Sequence, residues 1–538
     1  MGQLSERSAG AAWEHLRRLP VWLAPALVTL AVTVTGLGSA QLWRDELATW
    51  SAATRSPGDL ARLAGTIDAA TGPYYLLMHL WTGVFGDSTI ALRVPAVLAM
   101  TVAAGLLAVL GARLVDRRGG LFAGLLFAVL PGTSRYGQEA RPYALATMLA
   151  VLATLLLVVA LRRPGWARWA GYAAAVAALG LIHLIALTLL AAHALVVLVA
   201  WWRGPTPAGI ATPAGIATPA GIATSAGIAT PAGIATSAGI ATPAGIATSA
   251  QPDGGRDRRV WRWLVAVLPV ALLAGPLLVK ARTQQSRQLN WVHLVRLDDL
   301  TALPGGVAQS SVVGGLLLGV AALGAARLGR RALLPVGAVL LPVLLLFAAG
   351  TVVPLWVPRY LVFVVPFACL LAGAALAAVT APAALVVVVL AGLLGLPDQA
   401  ALRRTHEWPR SAPVDYAGVA RVIADGQRPG DAVVYSPRHS WLFLDLGIEY
   451  HLSDPPRDVL VTEDEVRRGD LWAAECPQPA PCLAGTARVW LVVSGRHAEP
   501  LTAVPDAKGD ALRRDFTVAQ VWQRPGLTVA LLTSRSDR

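Results

Sequence analysis

An acidic pair, Asp45-Glu46, follows directly on an apolar run, residues 19–43, that contains no charged side chain. About 20 apolar residues are enough to cross a bilayer, so the pair stands at the mouth of an expected membrane helix. A carboxylate placed there can take a proton from a hydroxyl while a lipid-borne group waits alongside. Three further clusters put charge where a bilayer disfavours it. They are Arg135-Tyr136-Gly137-Gln138-Glu139-Ala140-Arg141-Pro142-Tyr143, then Lys280 with Arg282 and Arg287, and then Arg359-Tyr360.

These residue types fit one chemistry. A sugar on a polyprenyl phosphate carries its own leaving group. Its transfer needs a base for the acceptor hydroxyl and cations at the departing phosphate. Asp45 is the expected base, and Glu46, Gln138 and Glu139 are expected to orient hydroxyls. Lys280, Arg282 and Arg359 are expected to hold phosphate. Tyr74, Tyr75, His79, Tyr136, Arg141 and Tyr360 complete the expected binding set. The plainer alternatives are that Arg141 only pairs Glu139 and that Arg359 only snorkels to the interface. No cofactor is required. Asp45, Glu46 and His79 could ligate a divalent metal, but they show no fixed ligand spacing.

The elements that must position these groups are membrane helices. Of 538 residues, 55% are hydrophobic and only 14% charged, and the charge is absent from long blocks. The charge-free stretches are 19–43, 94–112, 119–134, 142–161, 169–202, 263–279, 300–326, 332–358 and 360–397. Breaks near His183 and Pro382 divide two of them, which predicts about eleven transmembrane helices. The Lys/Arg bias puts the N-terminal residues 1–18 in the cytoplasm and the 43–92 loop outside. Residues 73–86 then read as an amphipathic helix on the outer interface. Residues 207–250 hold seven copies of Ala-Gly-Ile-Ala-Thr-(Pro/Ser), so 204–258 reads as a disordered cytoplasmic linker. The net charge of +13 has no Lys/Arg stripe with interleaved aromatics, which argues against nucleic acid as a partner.

From residue 398 to 538 the composition becomes ordinary. Strand-like runs stand at 432–435, 489–493 and 527–532, and a helix is expected over 415–426. This predicts a small extracytoplasmic α/β domain. Cys369 lies in an apolar run and reads as an inert core residue. Cys476 and Cys482 form either a small disulfide or two free thiols.

Six segments carry a resemblance. Trp43-Arg44-Asp45-Glu46, the stretch Gly72-Pro73-Tyr74-Tyr75 through His79-Leu80-Trp81, and Phe85-Gly86-Asp87-Ser88 are followed by Ala91-Leu92-Arg93-Val94-Pro95. Gln138-Glu139-Ala140-Arg141-Pro142-Tyr143 and Pro358-Arg359-Tyr360-Leu361 complete the order. Together they resemble the bacterial family 39 glycosyltransferases of the GT-C membrane class. Protein O-mannosyltransferases and the aminoarabinose transferases of lipid A are distant relatives of that family. The resemblance implies a GT-C fold, a polyprenyl-phosphate-sugar donor and an outward-facing site. It also implies inversion at the anomeric carbon and a catalytic aspartate at Asp45. The sequence departs from the family at Gly72, where a first proline often stands. The expected function is transfer of a mannose-like sugar to a lipid, glycan or protein acceptor at the plasma membrane. A flippase for lipid-linked sugars is the alternative, and a non-catalytic assembly protein is a third reading.

Overall fold

The computed structural model describes residues 19–202, 254–407 and 410–535. The expected cytoplasmic N-terminus and the hexapeptide repeat lie outside the described residues.

Helices stand at every charge-free stretch. The first part of the chain forms α1 (Leu23–Val34), α2 (Arg44–Ala53), α3 (Pro57–Thr66), α4 (Gly72–Phe85), α5 (Thr89–Leu114) and α6 (Arg117–Val129). It continues with α7 (Pro131–Gly137), α8 (Tyr143–Arg162), α9 (Trp166–Ile182) and α10 (Leu189–Trp202). After the repeat come α11 (Gly254–Gln288), α12 (Leu297–Ala308), α13 (Ser311–Leu328), α14 (Leu333–Gly350), α15 (Val365–Leu376) and α16 (Ala381–Leu402). Seven helical segments among the described residues are long and apolar enough to cross a membrane, which reads as a multi-pass membrane domain. The sequence predicts eleven spans, and the difference has local causes. α1 and α9 are apolar but shorter, and α13 and α14 run together through a 3-10 turn as one apolar segment. α6 stops before Pro131, which opens the short helix α7. α16 continues through Pro397 to Leu402, past the expected boundary of the tail.

Close helix crossings explain part of the glycine usage. A Cβ on Gly120 of α6 would strike the Ala108 carbonyl of α5, and one on Gly324 of α13 would strike the Leu371 carbonyl of α15. Only glycine lets these backbones approach so closely.

The segments between α1 and α5 are short helices with defined starts. Ser56 caps α3 and Ser88 caps α5, each accepting from a backbone N–H three residues on. α4 covers the interval expected as amphipathic. It buries Tyr74, Tyr75 and Met78, while Leu76, Leu80, Val84 and Phe85 stay exposed.

The tail is an α/β domain. Helix α17 (Tyr416–Gly426) precedes β1 (Ala432–Ser436), as the apolar spacing predicts. A five-stranded mixed sheet has the order β2-β1-β5-β7-β6, with β2 Arg457–Asp458, β5 Arg488–Ser494, β6 Phe516–Arg524 and β7 Leu527–Ser534. β1 runs parallel to β2 and β5, and β7 runs antiparallel to β5 and β6. A two-stranded ribbon, β3 (Val461–Glu463) with β4 (Ala474–Glu475), lies beside it. One face of the sheet shares a single apolar core with α2, α3 and α4: Leu47, Leu60, Tyr74 and Met78 pack in one cluster with Tyr416, Ile423, Trp490 and Val529. The domain is thereby fused to the helices that carry the acidic pair.

Cys476 and Cys482 are joined in a disulfide, and Cys369 is buried. The bridge closes a loop of sequence separation 6, for which chain entropy gives about 2 kcal/mol. The Cys476→Ser variant is expected to lower the stability of the tail domain by about that amount. Denaturant unfolding of the purified protein with and without reductant measures it, and an unchanged midpoint contradicts it.

Candidate active site

The two acids of the pair face different surroundings. α2 begins at Arg44, and its first turn carries both, which suits the positive end of a helix. Glu46 points inward and is fully buried. Arg93 of α5 donates to it twice, from Nε at 2.8 Å and from Nη2 at 2.7 Å. The Ala140 N–H donates to it at 2.9 Å, and it closes a capping box with the backbone of Trp43. Arg93 also donates to the carbonyls of Leu37 at 2.7 Å, Ala40 at 2.9 Å and Gln41 at 3.2 Å. Burial raises the Glu46 carboxyl, but the charge and hydrogen bonds of Arg93 outweigh it and hold the group well below the usual carboxylate range. The His406 ring lies 3.5 Å away, and burial pushes that imidazole down to about 3, so it is neutral.

This placement differs from the expectation that Glu46 acts with Asp45 and orients hydroxyls. Its hydrogen bonds go to the scaffold, where it ties the turn before α2, the helix α5 and the 139–141 segment into one unit. Sequence reasoning places Arg93 in a motif but gives it no role. A cation near the start of an apolar helix, away from the basic last turn at Arg113, is the available signal.

Asp45 is turned toward a cluster of polar side chains. Its side chain is 17% exposed and its Oδ2 lies 3.3 Å from Arg359 Nη2. Arg359 Nε donates to the Tyr143 hydroxyl at 3.1 Å, and its guanidinium sits 5.8 Å from the Trp43 ring and 5.2 Å from that of Trp291. Arg141 Nη1 lies 3.3 Å from the Asp45 carbonyl, 3.4 Å from Thr49 Oγ1 and 3.3 Å from the Tyr75 hydroxyl. Arg135 stacks over Trp43 at 4.9 Å and pairs with Glu139 at 3.0 Å. Buried polar atoms without a hydrogen-bond partner gather here: Asp45 Oδ2, both Glu139 carboxyl oxygens, Arg141 Nε and Trp43 Nε1. Asp45 Oδ2 and one Glu139 oxygen are held only by ion pairs; native interiors pair nearly all such atoms, and their concentration around one carboxylate makes this the candidate site.

Burial pushes the Glu139 carboxyl up to about 7 against the pull of Arg135. A carboxyl whose folded value exceeds its unfolded value binds its proton more tightly when folded. Its contribution is full below pH 4.5 and is lost as pH rises through 7. The Glu139→Gln variant keeps the shape without titrating. Its thermal midpoint relative to wild type is expected to climb as pH rises from the ordinary carboxylate value of 4.5 through 7, and a flat difference contradicts the assignment.

The other expected residues divide. Arg141, Glu139, Arg359 and Tyr360 join Asp45, with the Tyr360 ring 6.3 Å from that of Tyr143. The Tyr136 ring packs 5.7 Å from Tyr143, and its hydroxyl accepts from Gln309 at 3.2 Å. Gln138 is a correction: its amide donates to the carbonyls of Thr33 and Thr35 at 2.8 Å each, so it closes the end of α1 rather than orienting a ligand. Tyr74 is buried in the core shared with the sheet. His79 Nδ1 lies 3.0 Å from the Ala53 carbonyl and ties α4 to α2. Among the described residues no group of three His, Cys, Asp or Glu side chains converges as a metal site, so Asp45, Glu46 and His79 do not form one. Lys280 and Arg282 stand exposed on α11. Arg282 lines a cavity of about 380 Å³ with Gln285, Ser286, Asn290 and Pro354. Arg135 stands in a charged cluster of the sequence without a role of its own, and neither Tyr143 as a partner of Arg359 nor the Arg44–Glu407 pair at 3.4 Å has a sequence signal.

Comparison with known proteins agrees with this architecture. A comparison with curated protein sequences gives no match. The crystal structure of ArnT from Cupriavidus metallidurans in the apo state superposes with a TM-score of 0.61 at 14% identity, over 98% of this chain and 99% of that one. The same protein bound to undecaprenyl phosphate superposes with a TM-score of 0.56 at 14% identity, over 95% and 97%. Residues 72–212 match the family described as dolichyl-phosphate-mannose-protein mannosyltransferase, and the chain as a whole has a GT-C-like fold with a small C-terminal sheet domain.

Proposed function

We propose that the chain is a membrane glycosyltransferase that moves a sugar from a polyprenyl-phosphate donor to an acceptor hydroxyl at the outer face of the plasma membrane. The observation that carries this reading is the Asp45–Arg359 pair, a half-sheltered carboxylate 3.3 Å from a guanidinium, beside Glu139 Oε1, Arg141 Nε and Trp43 Nε1, which are buried without a hydrogen bond. In the resting site Arg359 neutralises Asp45. An entering phosphate competes for Arg359, because a guanidinium binds phosphate at least as well as a carboxylate. Asp45 is then released as a base beside the anomeric carbon. It takes the acceptor proton as the new glycosidic bond forms, and the bond from the anomeric carbon to the phosphate oxygen breaks. The leaving phosphate stays on Arg359. Attack opposite the leaving group inverts the anomeric carbon. Arg141 holds the Asp45 backbone, and Glu139 orients hydroxyls.

The partial family match supports a sugar donor on a lipid phosphate, and ArnT was crystallised with undecaprenyl phosphate. A mannose-like sugar is the donor group we propose. The Lys/Arg distribution supports a cytoplasmic N-terminus and an extracytoplasmic tail domain. The test is mass spectrometry of envelope glycans and glycoproteins from cells with and without the protein. One glycan is expected to disappear, and its lipid-linked precursor to accumulate. Unchanged glycans remove the proposal.

A further inference from the structure

Asp68 sits in the loop between α3 and α4, buried and in the left-handed backbone region at φ 60°. That region disfavours residues with a Cβ. Glycine or asparagine would serve the turn at lower cost. What aspartate adds is a carboxylate, and three donors converge on it. Thr71 Oγ1 donates at 2.6 Å, the Tyr75 hydroxyl donates at 2.5 Å, and Gln288 Nε2 at the end of α11 donates as well. Gln284, one turn earlier on α11, fixes the same loop. Its Oε1 accepts from the Ala69 N–H at 2.8 Å and its Nε2 donates to the Ala64 carbonyl at 2.9 Å.

A tyrosine hydroxyl has a single proton. With that proton given to Asp68, the Tyr75 oxygen is left as an acceptor, and it faces Arg141 Nη1 at 3.3 Å. The same nitrogen reaches the Asp45 carbonyl and Thr49 Oγ1. The direction of the chain is thus set from one end: Arg141 donates to Tyr75, and Tyr75 donates to Asp68. Thr71 and Gln288 both donate to Oδ1 and Tyr75 to Oδ2, so an asparagine that keeps its oxygen on the first two presents its NH2 to Tyr75; the hydroxyl proton then turns toward the guanidinium, and the two donors repel. Arg141 would then lose its footing, and with it the first turn of α2.

We propose that Asp68 is a positioning residue that sets Asp45 through Tyr75 and Arg141; this rests on the reading of Asp45 as the base. A reacting group displaced by about 1 Å can lose on the order of 100-fold in rate. The test uses the full-length protein with Asp68→Asn, Tyr75→Phe and the two combined. Transfer is read in cells lacking the wild-type protein as restoration of the missing glycan, and binding of undecaprenyl phosphate is read on purified protein. Each single variant is expected to lose roughly 10- to 100-fold in transfer, and the pair no more than either, since one chain is broken once. Lipid-phosphate affinity should stay at wild type, and the thermal midpoint should fall no further in the pair than in the worse single variant. Loss of transfer matched by loss of affinity, or additive losses of transfer in the pair, means a merely structural loop and overturns the proposal. Wild-type transfer in either variant, with Asp45→Asn inactive, also overturns it and leaves the function reading intact. Activity in Asp45→Asn removes both. If Asp68→Asn fails to accumulate, Tyr75→Phe keeps the ring packing and decides alone.

Discussion

Replacing Asp45 by asparagine is expected to lower sugar transfer by about 10²- to 10⁴-fold, the usual contribution of a general base. The same variant should still bind lipid phosphate. The amide side chain would occupy the same volume but carry no charge to hold the Arg359 guanidinium, and it cannot take up a proton. Arg359 would keep its hydrogen bond to the Tyr143 hydroxyl and its place near the Trp43 and Trp291 rings, now without a competing carboxylate. Affinity for undecaprenyl phosphate should therefore stay level or rise while turnover collapses. A phosphate-binding role for Asp45 has the opposite signature, with affinity and rate falling together. Folding should be little affected, because the carboxylate oxygen near Arg359 lacks a hydrogen bond and its ion pair with Arg359 is at 3.3 Å. Calorimetric binding alongside a transfer assay separates the cases, and normal transfer by Asp45→Asn would sink the proposed mechanism.

How much of this is legible in the chain depends on the range of the interaction. Helices and strands follow from local apolar patterning, so α4, α17, β1, β5 and β7 appear where the periodicity puts them. Helix ends are harder. Pro397 looks like a stop, but it sits inside a helix that keeps one buried face on either side of it, at Ala391, Gly395, Gln399 and Leu402, whereas Pro131 does interrupt one. The acidic pair is visible as a pair, but its division of labour is not. Successive helical positions differ by about 100°, so Asp45 and Glu46 have to face different neighbours. Which of them meets Arg93 is decided 47 positions away. Gln138 and Glu139 pose the same problem, one turned to the end of α1 and the other to Arg135. The fusion of the sheet domain with α2, α3 and α4 is equally invisible, because no periodicity reports what an apolar face will meet. Residues of one chemical type are found by composition; their roles are set by partners distant in sequence.

The largest effect on stability is expected at Glu46 and Arg93. Both side chains are buried, the pair is bidentate, and Arg93 makes three further bonds to the carbonyls of the 37–41 turn. Removing one member of such a pair leaves a charge in a medium that cannot solvate it, which costs about 3–5 kcal/mol. The Arg93→Leu variant also orphans three carbonyls, so it is expected to be the worse of the two and to fail to accumulate in membranes. Glu46→Gln is milder, since the amide can still accept from Arg93 while its NH2 opposes the Ala140 N–H. The double variant Glu46→Leu with Arg93→Leu separates charge from architecture. If the cost is an unpaired charge, the double variant recovers part of the stability lost by either single one, as uncharged replacements of buried pairs do elsewhere. Because the carbonyls of Leu37, Ala40 and Gln41 remain without their donor, recovery should be incomplete and transfer should remain low. Thermal unfolding of wild type, the two single leucine variants and the double variant in detergent reads this directly. A double variant as unstable as the sum of the singles would mean that the two residues act independently, and that Glu46 does not owe its place to Arg93.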